Sequence, residues 1–256
     1  MKGRTAVITG GGRGVGAAVA ARLAAAGASV LVASRTTRQV EDVAARLRAD
    51  GHTVHAETCD VADPASIDRL ASRAAERLGR VDILINNAGV ALASAVHKTS
   101  LDDWNRLFAV NATSAFLCLK AFLPAMIERG WGRVVNVASI AGLTADRYIA
   151  AYAASKHALL GLTRAAAAEA AAHGVTVNAV CPGYLATDMT RESVARIVRT
   201  TGRTEAQALE AILQTTPQRR LIEADEVAEA VAYLCTDAAR GVNGEALVID
   251  GGELRR

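Results

Sequence analysis

Three side chains in the middle of the chain could perform acid–base chemistry: the hydroxyl of Ser139, the phenol of Tyr152 and the ammonium of Lys156. Tyr152 and Lys156 stand four residues apart, so on a helix they share a face. An ammonium held beside a phenol favours the phenolate and lowers the tyrosine pKa from its ordinary value of about 10. Tyr152 would then be an acid or base near neutral pH. Ser139 could donate a hydrogen bond to an oxygen that gains charge. The same spacing also suits an amphipathic helix with a solvated lysine, so the elements that position these residues decide between the two.

Ser139 follows Arg133–Ala138, an apolar, β-branched run that reads as a buried strand. Tyr152 opens Ala- and Leu-rich sequence to Ala172, which reads as a long helix. Ser139 is thus expected at the carboxyl end of a strand, where open α/β sheets place their chemistry. Upstream, strands are expected at Thr5–Thr9, Ser29–Ala33, Thr53–Glu57 and Val81–Ile85. Helices are expected up to Ala26, over Thr37–Asp50 and from the Asp63-Pro64 cap to Leu78, with Gly27, Gly51 and Gly79 as stops. Leu101–Arg129 reads as one long helical stretch, kinked or broken at Pro124. Downstream come a strand at Thr176–Cys181, a helical region Asp188–Gln214 broken at Gly202, a helix from an Asp225 cap to Leu234, and a strand at Ala246–Ile249. Strands alternating with helices at this spacing predict a mostly parallel seven-stranded sheet covered on both faces, one doubly wound α/β domain over 1–256. Residues 188–218 interrupt the rhythm and are expected to cover the substrate.

Composition narrows the classes. The chain of 256 residues is 51% hydrophobic and 21% charged, the profile of a soluble globular protein. A net charge of +3 from scattered basic residues excludes a polyanion footprint, hence nucleic acid as a partner. No apolar run is read as long enough to span a membrane and no export signal is seen, so a cytoplasmic location is expected. Cys59, Cys118, Cys181 and Cys235 are widely spaced in apolar sequence and read as buried free thiols. His52 and His55 lack a third ligand, so no metal is assigned.

A glycine-rich turn, Thr9-Gly-Gly-Gly-Arg-Gly-Val-Gly16, joins the first strand to the first helix. In that position backbone N–H groups at a helix start can hold a pyrophosphate. With this turn, Asn86-Asn-Ala-Gly89, Asn111, Ser139, Tyr152-x-x-x-Lys156 and Pro182-Gly183 in order, the chain resembles the short-chain dehydrogenase/reductase family along nearly its whole length. Its likeness is nearest to bacterial 3-oxoacyl-thioester reductases. The resemblance implies a Rossmann-type fold, a nicotinamide cofactor and a homotetramer. It implies that Tyr152 is the proton donor or acceptor, that Lys156 lowers its pKa and binds the nicotinamide ribose, and that Ser139 polarises the carbonyl. Asn111 would hold a water leading from Lys156 to solvent. Cofactor contacts are implied for Gly10, Gly12, Gly14, Val15, Gly16, Asp60, Val61, Asn87, Ala88, Gly89, Pro182, Gly183 and Thr187.

Cofactor choice follows from charge. An acid about 20 residues beyond the glycine turn would hold both ribose hydroxyls and repel a 2′-phosphate. Here the second strand runs into Ser34-Arg35, and the next acid is Glu41. Ser34 and Arg35, with Arg13 in the turn as a second cation, favour NADP(H), with NAD accepted less well. Both arginines would look the same as ordinary solvated side chains. Arg191, Arg196, Arg199 and Arg203 in the cover point to a 3-oxoacyl thioester or a related ketone. His173 stands where an arginine would have strengthened docking of a carrier protein, which favours coenzyme A or a small free ketone. The alternatives are a reductase of small cyclic or aryl ketones and, from a different class, a non-catalytic cofactor-binding sensor or scaffold.

Overall fold

The computed structural model describes residues 1–254. Strands β1 (Thr5–Thr9), β2 (Ser29–Ser34), β3 (Val54–Thr58), β4 (Ile83–Asn86), β5 (Gly132–Val137), β6 (Val175–Pro182) and β7 (Ala246–Ile249) form one sheet in the order β3-β2-β1-β4-β5-β6-β7. Every pairing is parallel. Along β1, Ala6 and Ile8 pack on one side of the sheet and Val7 on the other, the alternation a doubly covered strand requires. The chain reverses its direction of travel across the sheet between β1 and β4, which opens a crevice at the carboxyl ends of those strands.

Helices α1 (Gly14–Ala25) and α2 (Thr37–Ala49), together with α9 (Ala224–Leu234), cover one face through Val19, Leu23, Val40, Leu47 and Val231. On the other face lie α3 (Pro64–Leu78), α5 (Ser114–Glu128) and α6 (Ala150–Ala170), through Ile67, Leu70, Leu119, Phe122 and Ala166. Helix α4 (Leu101–Phe108) runs into α5, while α7 (Asp188–Thr201) and α8 (Glu205–Leu213) form a pair outside the strand–helix alternation. Asp63 caps α3 by accepting from the Ala65 N–H at 3.0 Å, with Pro64 in the first turn.

Three expectations need correction. Helix α5 continues through Pro124; the irregularity of the long helix is a π turn at Ala109–Thr113, around Asn111. Glu223, not Asp225, caps α9, in a reciprocal pair with Glu226. The stretch Leu101–Glu128 is 28 residues long and holds an 18-residue window with a mean hydropathy of 1.5, long and apolar enough to cross a membrane. Its Leu107, Cys118, Leu119, Phe122 and Met126 are buried in the core instead. Asp102, Asp103 and Arg106 in its first turns obscured the apolar continuation.

Candidate active site

A chain of amides fixes helix α6 on the sheet. Asn86 Nδ2 donates to Asn136 Oδ1 at 2.8 Å, Asn136 Nδ2 donates to Thr163 Oγ1 at 2.8 Å, and Thr163 donates to the Leu159 carbonyl at 2.8 Å. The network spans β4, β5 and α6 and is buried throughout, so it sets which turn of α6 faces the crevice. Tyr152 and Lys156, one and two turns from the helix start, are thereby presented to Ser139 at the end of β5.

Lys156 is buried, and its Nζ donates to the Val137 carbonyl at 2.9 Å. Burial lowers its pKa from 10.5 to about 8. Burial raises the Tyr152 phenol above its ordinary value, and the facing Ser139 hydroxyl lowers it by less. The expectation that Lys156 depresses the Tyr152 pKa is therefore corrected. The ammonium lies 5.9 Å from the phenol ring centre and is directed at a carbonyl.

A linked prediction concerns stability. The unfolded chain keeps the Lys156 proton up to about pH 10.5, whereas the folded chain releases it near pH 8. Between those values the unfolded state binds more protons, so this residue makes stability rise with pH. Lys156→Met keeps the stem and removes the charge. Its stability relative to the native protein should fall by about 3 kcal/mol between pH 7.5 and 10.5, as read by urea unfolding. A difference that does not change with pH would refute the buried ammonium.

Asn111 spends its side chain on the protein. Its Oδ1 accepts from the Val90 N–H at 2.8 Å, and its Nδ2 donates to the Val90 carbonyl at 2.9 Å and to Ser155 Oγ at 2.9 Å. With three of its four side-chain hydrogen bonds committed, the amide pins the loop after β4 to α6. Gly89 lies beside both Asn111 Oδ1 and Lys156 Nζ, each 3.5 Å from where a β-carbon would stand.

The glycine turn is shaped by the same loop. Asn87 Nδ2 donates to the carbonyls of Thr9 and Gly10 at 3.0 Å, and Thr9 Oγ1 accepts from the N–H groups of Asn87 and Ala88 at 3.1 and 3.2 Å. A β-carbon on Gly16 would overlap the Gly10 carbonyl and the Asn87 amide, so α1 can start this close to β1 only with glycine there. Gly14 has φ +51° and faces Thr187 at the start of α7. No side chain caps α1, which leaves its first N–H groups for an anion.

One cavity of about 860 Å³ takes in nearly all of these residues. Gly10, Gly12, Arg13, Gly14, Val15, Ser34, Arg35, Asp60, Val61, Asn87, Ala88 and Gly89 line one half, and Ser139, Tyr152, Lys156, Pro182, Gly183 and Thr187 the other. Asn111 and Gly16 sit behind the wall. Asp60 also holds its own loop, accepting from the Ala62 N–H at 3.0 Å. Arg35 is exposed at the rim, whereas Arg13 pairs with Asp188 at 3.3 Å, and Asp188 also binds Arg191. The second cation is therefore tied to α7 through an exposed ion pair. The set fits a phosphorylated dinucleotide: unsatisfied helix N–H groups, a cradle closed to β-carbons, and an exposed guanidinium beside the Ser34 hydroxyl. Asn136, Thr163 and Ser155, which build the site without facing the cavity, escaped the sequence reading, and Thr9 entered it as the first residue of the glycine turn without a role of its own. Tyr184 and Glu253, which do face it, escaped as well. Only Thr9, adjoining the glycine run, carried a signal.

Residues 4–197 match the family model described as short chain dehydrogenase. A D-beta-hydroxybutyrate dehydrogenase of Rhizobium meliloti (strain 1021) is 38% identical over 97% of this chain and 98% of its own length. A 3-oxoacyl-acyl-carrier-protein reductase of Synechocystis sp. is 35% identical over 98% and 97%. Among solved structures, a variant of actinorhodin polyketide ketoreductase with NADPH superposes with a TM-score of 0.95, at 36% identity over 98% of this chain and 97% of that one. With a parallel sheet in this order, a phenol, ammonium and hydroxyl at its crevice and these relatives, the chain belongs to the short-chain dehydrogenase family, enzymes that interconvert hydroxyl and keto groups.

Proposed function

We propose that the chain is an NADP(H)-dependent reductase of ketones next to an acyl or similarly apolar group, with 3-oxoacyl thioesters as the first candidates. The observation that carries this reading is the phenol of Tyr152 sharing one cavity with Ser139 and with a glycine turn flanked by an exposed arginine. Gly10, Gly12, Gly14, Val15 and Gly16 would hold the pyrophosphate, and Ser34 and Arg35 the 2′-phosphate. Asp60 and Val61 would border the adenine, Asn87–Gly89 the adenosine side, and Pro182, Gly183 and Thr187 the nicotinamide amide. A bound nicotinamide would supply the hydride for reduction and accept it in the reverse reaction. Ser139 would orient the substrate carbonyl by a hydrogen bond, and Tyr152 would give its proton to the oxygen as charge develops there. Lys156, with donors left beyond the Val137 carbonyl, would hold the ribose. Asn111 would hold the loop and α6 in register.

The chain of α7 and α8 would cover the substrate. Val194, Ile197 and Val198 are half-buried there, while Arg196 lines the cavity. Such a surface could cover an acyl chain while its cations meet a phosphorylated carrier. Mixing the protein with NADPH and a panel of ketones, and following loss of nicotinamide absorbance, tests the reading. Acetoacetyl-coenzyme A should give a kcat/KM at least about tenfold above that of a cyclic or aryl ketone of similar reactivity. Equal values would remove the thioester from the reading and leave small-ketone reduction. Binding of NADPH with no turnover on any ketone would favour a cofactor sensor.

Assembly is part of the proposal. Leu101, Trp104 and Phe116 expose apolar surface on α4 and α5, with Leu101 72% and Phe116 50% accessible. A second copy would cover them. The expected mass in light scattering at micromolar concentration is that of a tetramer in a cytoplasmic-type buffer, and a monomer mass would refute it.

A further inference from the structure

Beyond Ser139 and Tyr152 the cavity wall carries an acid. Glu253, in the turn after β7, lines the cavity and is half-buried. Thr215 Oγ1 donates to its Oε1 at 2.9 Å, and Thr216 Oγ1 donates to its Oε2 at 3.4 Å. Oε2 also stands 3.2 Å from where Gly183 would carry a β-carbon, one residue before Tyr184. The carboxylate therefore reaches the carboxyl end of β6 on the substrate side. Two hydroxyls hold it in place, with no cation within salt-bridge distance among the described residues. The other charged groups facing this end are Asp146 from the loop before α6, Arg196 from α7, and Lys156, which is engaged by the Val137 carbonyl. Glu253 and Asp146 thus share this space with the Arg196 guanidinium and the Lys156 ammonium, and Glu253 is the acid set against the carboxyl end of β6.

We propose that Glu253 is a specificity-determining residue that disfavours substrates carrying their own carboxylate near the ketone, so that the site takes 3-oxoacyl esters and thioesters ahead of free 3-oxo acids. The inference deepens the ketone-reductase reading and rests on it. Burial, together with Asp250 and Asp146, pushes the Glu253 pKa up, and the hydrogen bonds from Thr215 and Thr216 favour its carboxylate. A neutral thioester meets no penalty from the carboxylate. A substrate anion sharing this partly hydrated cavity with the carboxylate would lose roughly tenfold in binding.

The test uses full-length enzyme with saturating NADPH and two matched pairs of ketones, acetoacetate with methyl acetoacetate and 4-acetylbenzoate with methyl 4-acetylbenzoate. In the native enzyme each ester should exceed its acid by about tenfold or more in kcat/KM. Glu253→Gln keeps an acceptor for a threonine hydroxyl and removes the charge. It should raise kcat/KM for the acids about tenfold and move the esters by less than about threefold. Arg196→Gln should shift the acids the opposite way. Raising the ionic strength of the native enzyme gives the same readout without a substitution, since screening should help acids more than esters. An acid-to-ester ratio untouched by Glu253→Gln and by salt would mean that Glu253 only packs the tail, and the proposal would be overturned. If the aliphatic pair is not reduced and the aryl pair is, the thioester reading falls while the aryl ratio still decides Glu253. If neither pair turns over, dissociation constants from quenching of bound NADPH fluorescence give the same ratio.

Discussion

Tyr152→Phe is expected to lower kcat by on the order of 10² or more while NADPH still binds within a few-fold of the native affinity. The substitution removes one oxygen and leaves the ring, so packing in α6 and the Asn86–Asn136–Thr163 network that positions it are untouched. The lost group is the one proton donor facing the cavity whose pKa is raised by burial and which also meets a hydroxyl, Ser139, able to share the substrate oxygen. Ser139→Ala should cost less, because the carbonyl would keep its acid and lose only an orienting bond. A Phe variant that retains more than about a tenth of native kcat would remove Tyr152 from the mechanism. Stopped-flow nicotinamide absorbance separates the chemical step from release of product, so a slow release cannot hide the loss.

Much of the architecture was legible because it rests on local signals. β7 was read at its observed limits from four apolar residues, Ala246–Ile249, and the breaks at Gly51, Gly79 and Gly202 follow from glycines with φ of +86°, +73° and +72°. Tyr152 and Lys156 were legible for a similar reason, since a four-residue spacing on a helix is a local geometric fact. What the sequence could not show is where each polar atom is spent. Asn111 was read as the holder of a water, and its part in joining Val90 to Ser155 was not visible. Arg13 looked free for a phosphate and is held by Asp188, distant in sequence. Lys156 looked aimed at the phenol, yet the Val137 carbonyl claims it. In each case the competing partner comes from another element, so no spacing rule announces it. Glu253 is the extreme example. It lies near the end of the chain, outside every motif, and only the return of the tail over β6 brings it to the cavity.

Cofactor preference should reverse on changing a single residue. In the native protein kcat/KM is expected to be higher with NADPH than with NADH, and Arg35→Asp should invert that order. Arg35 is exposed at the cavity rim, and no carboxylate pairs with it among the described residues, so its planar guanidinium can meet a 2′-phosphate without first breaking an ion pair. Losing that contact costs about 1.5–3 kcal/mol, roughly 10- to 100-fold in NADP affinity. The aspartate adds repulsion of the phosphate and offers both ribose hydroxyls of NAD an acceptor, so the change in the ratio should exceed 100-fold or so. Arg13→Gln is the control within the same half of the cavity. Because Arg13 is already held by Asp188 at 3.3 Å, its loss should lower NADP affinity by no more than about threefold. Serine at 34 stays in both variants, so a difference between them isolates the guanidinium of Arg35. Equal efficiency with the two cofactors in the native protein, or a ratio unmoved by Arg35→Asp, would show that the 2′-phosphate is not read at this rim.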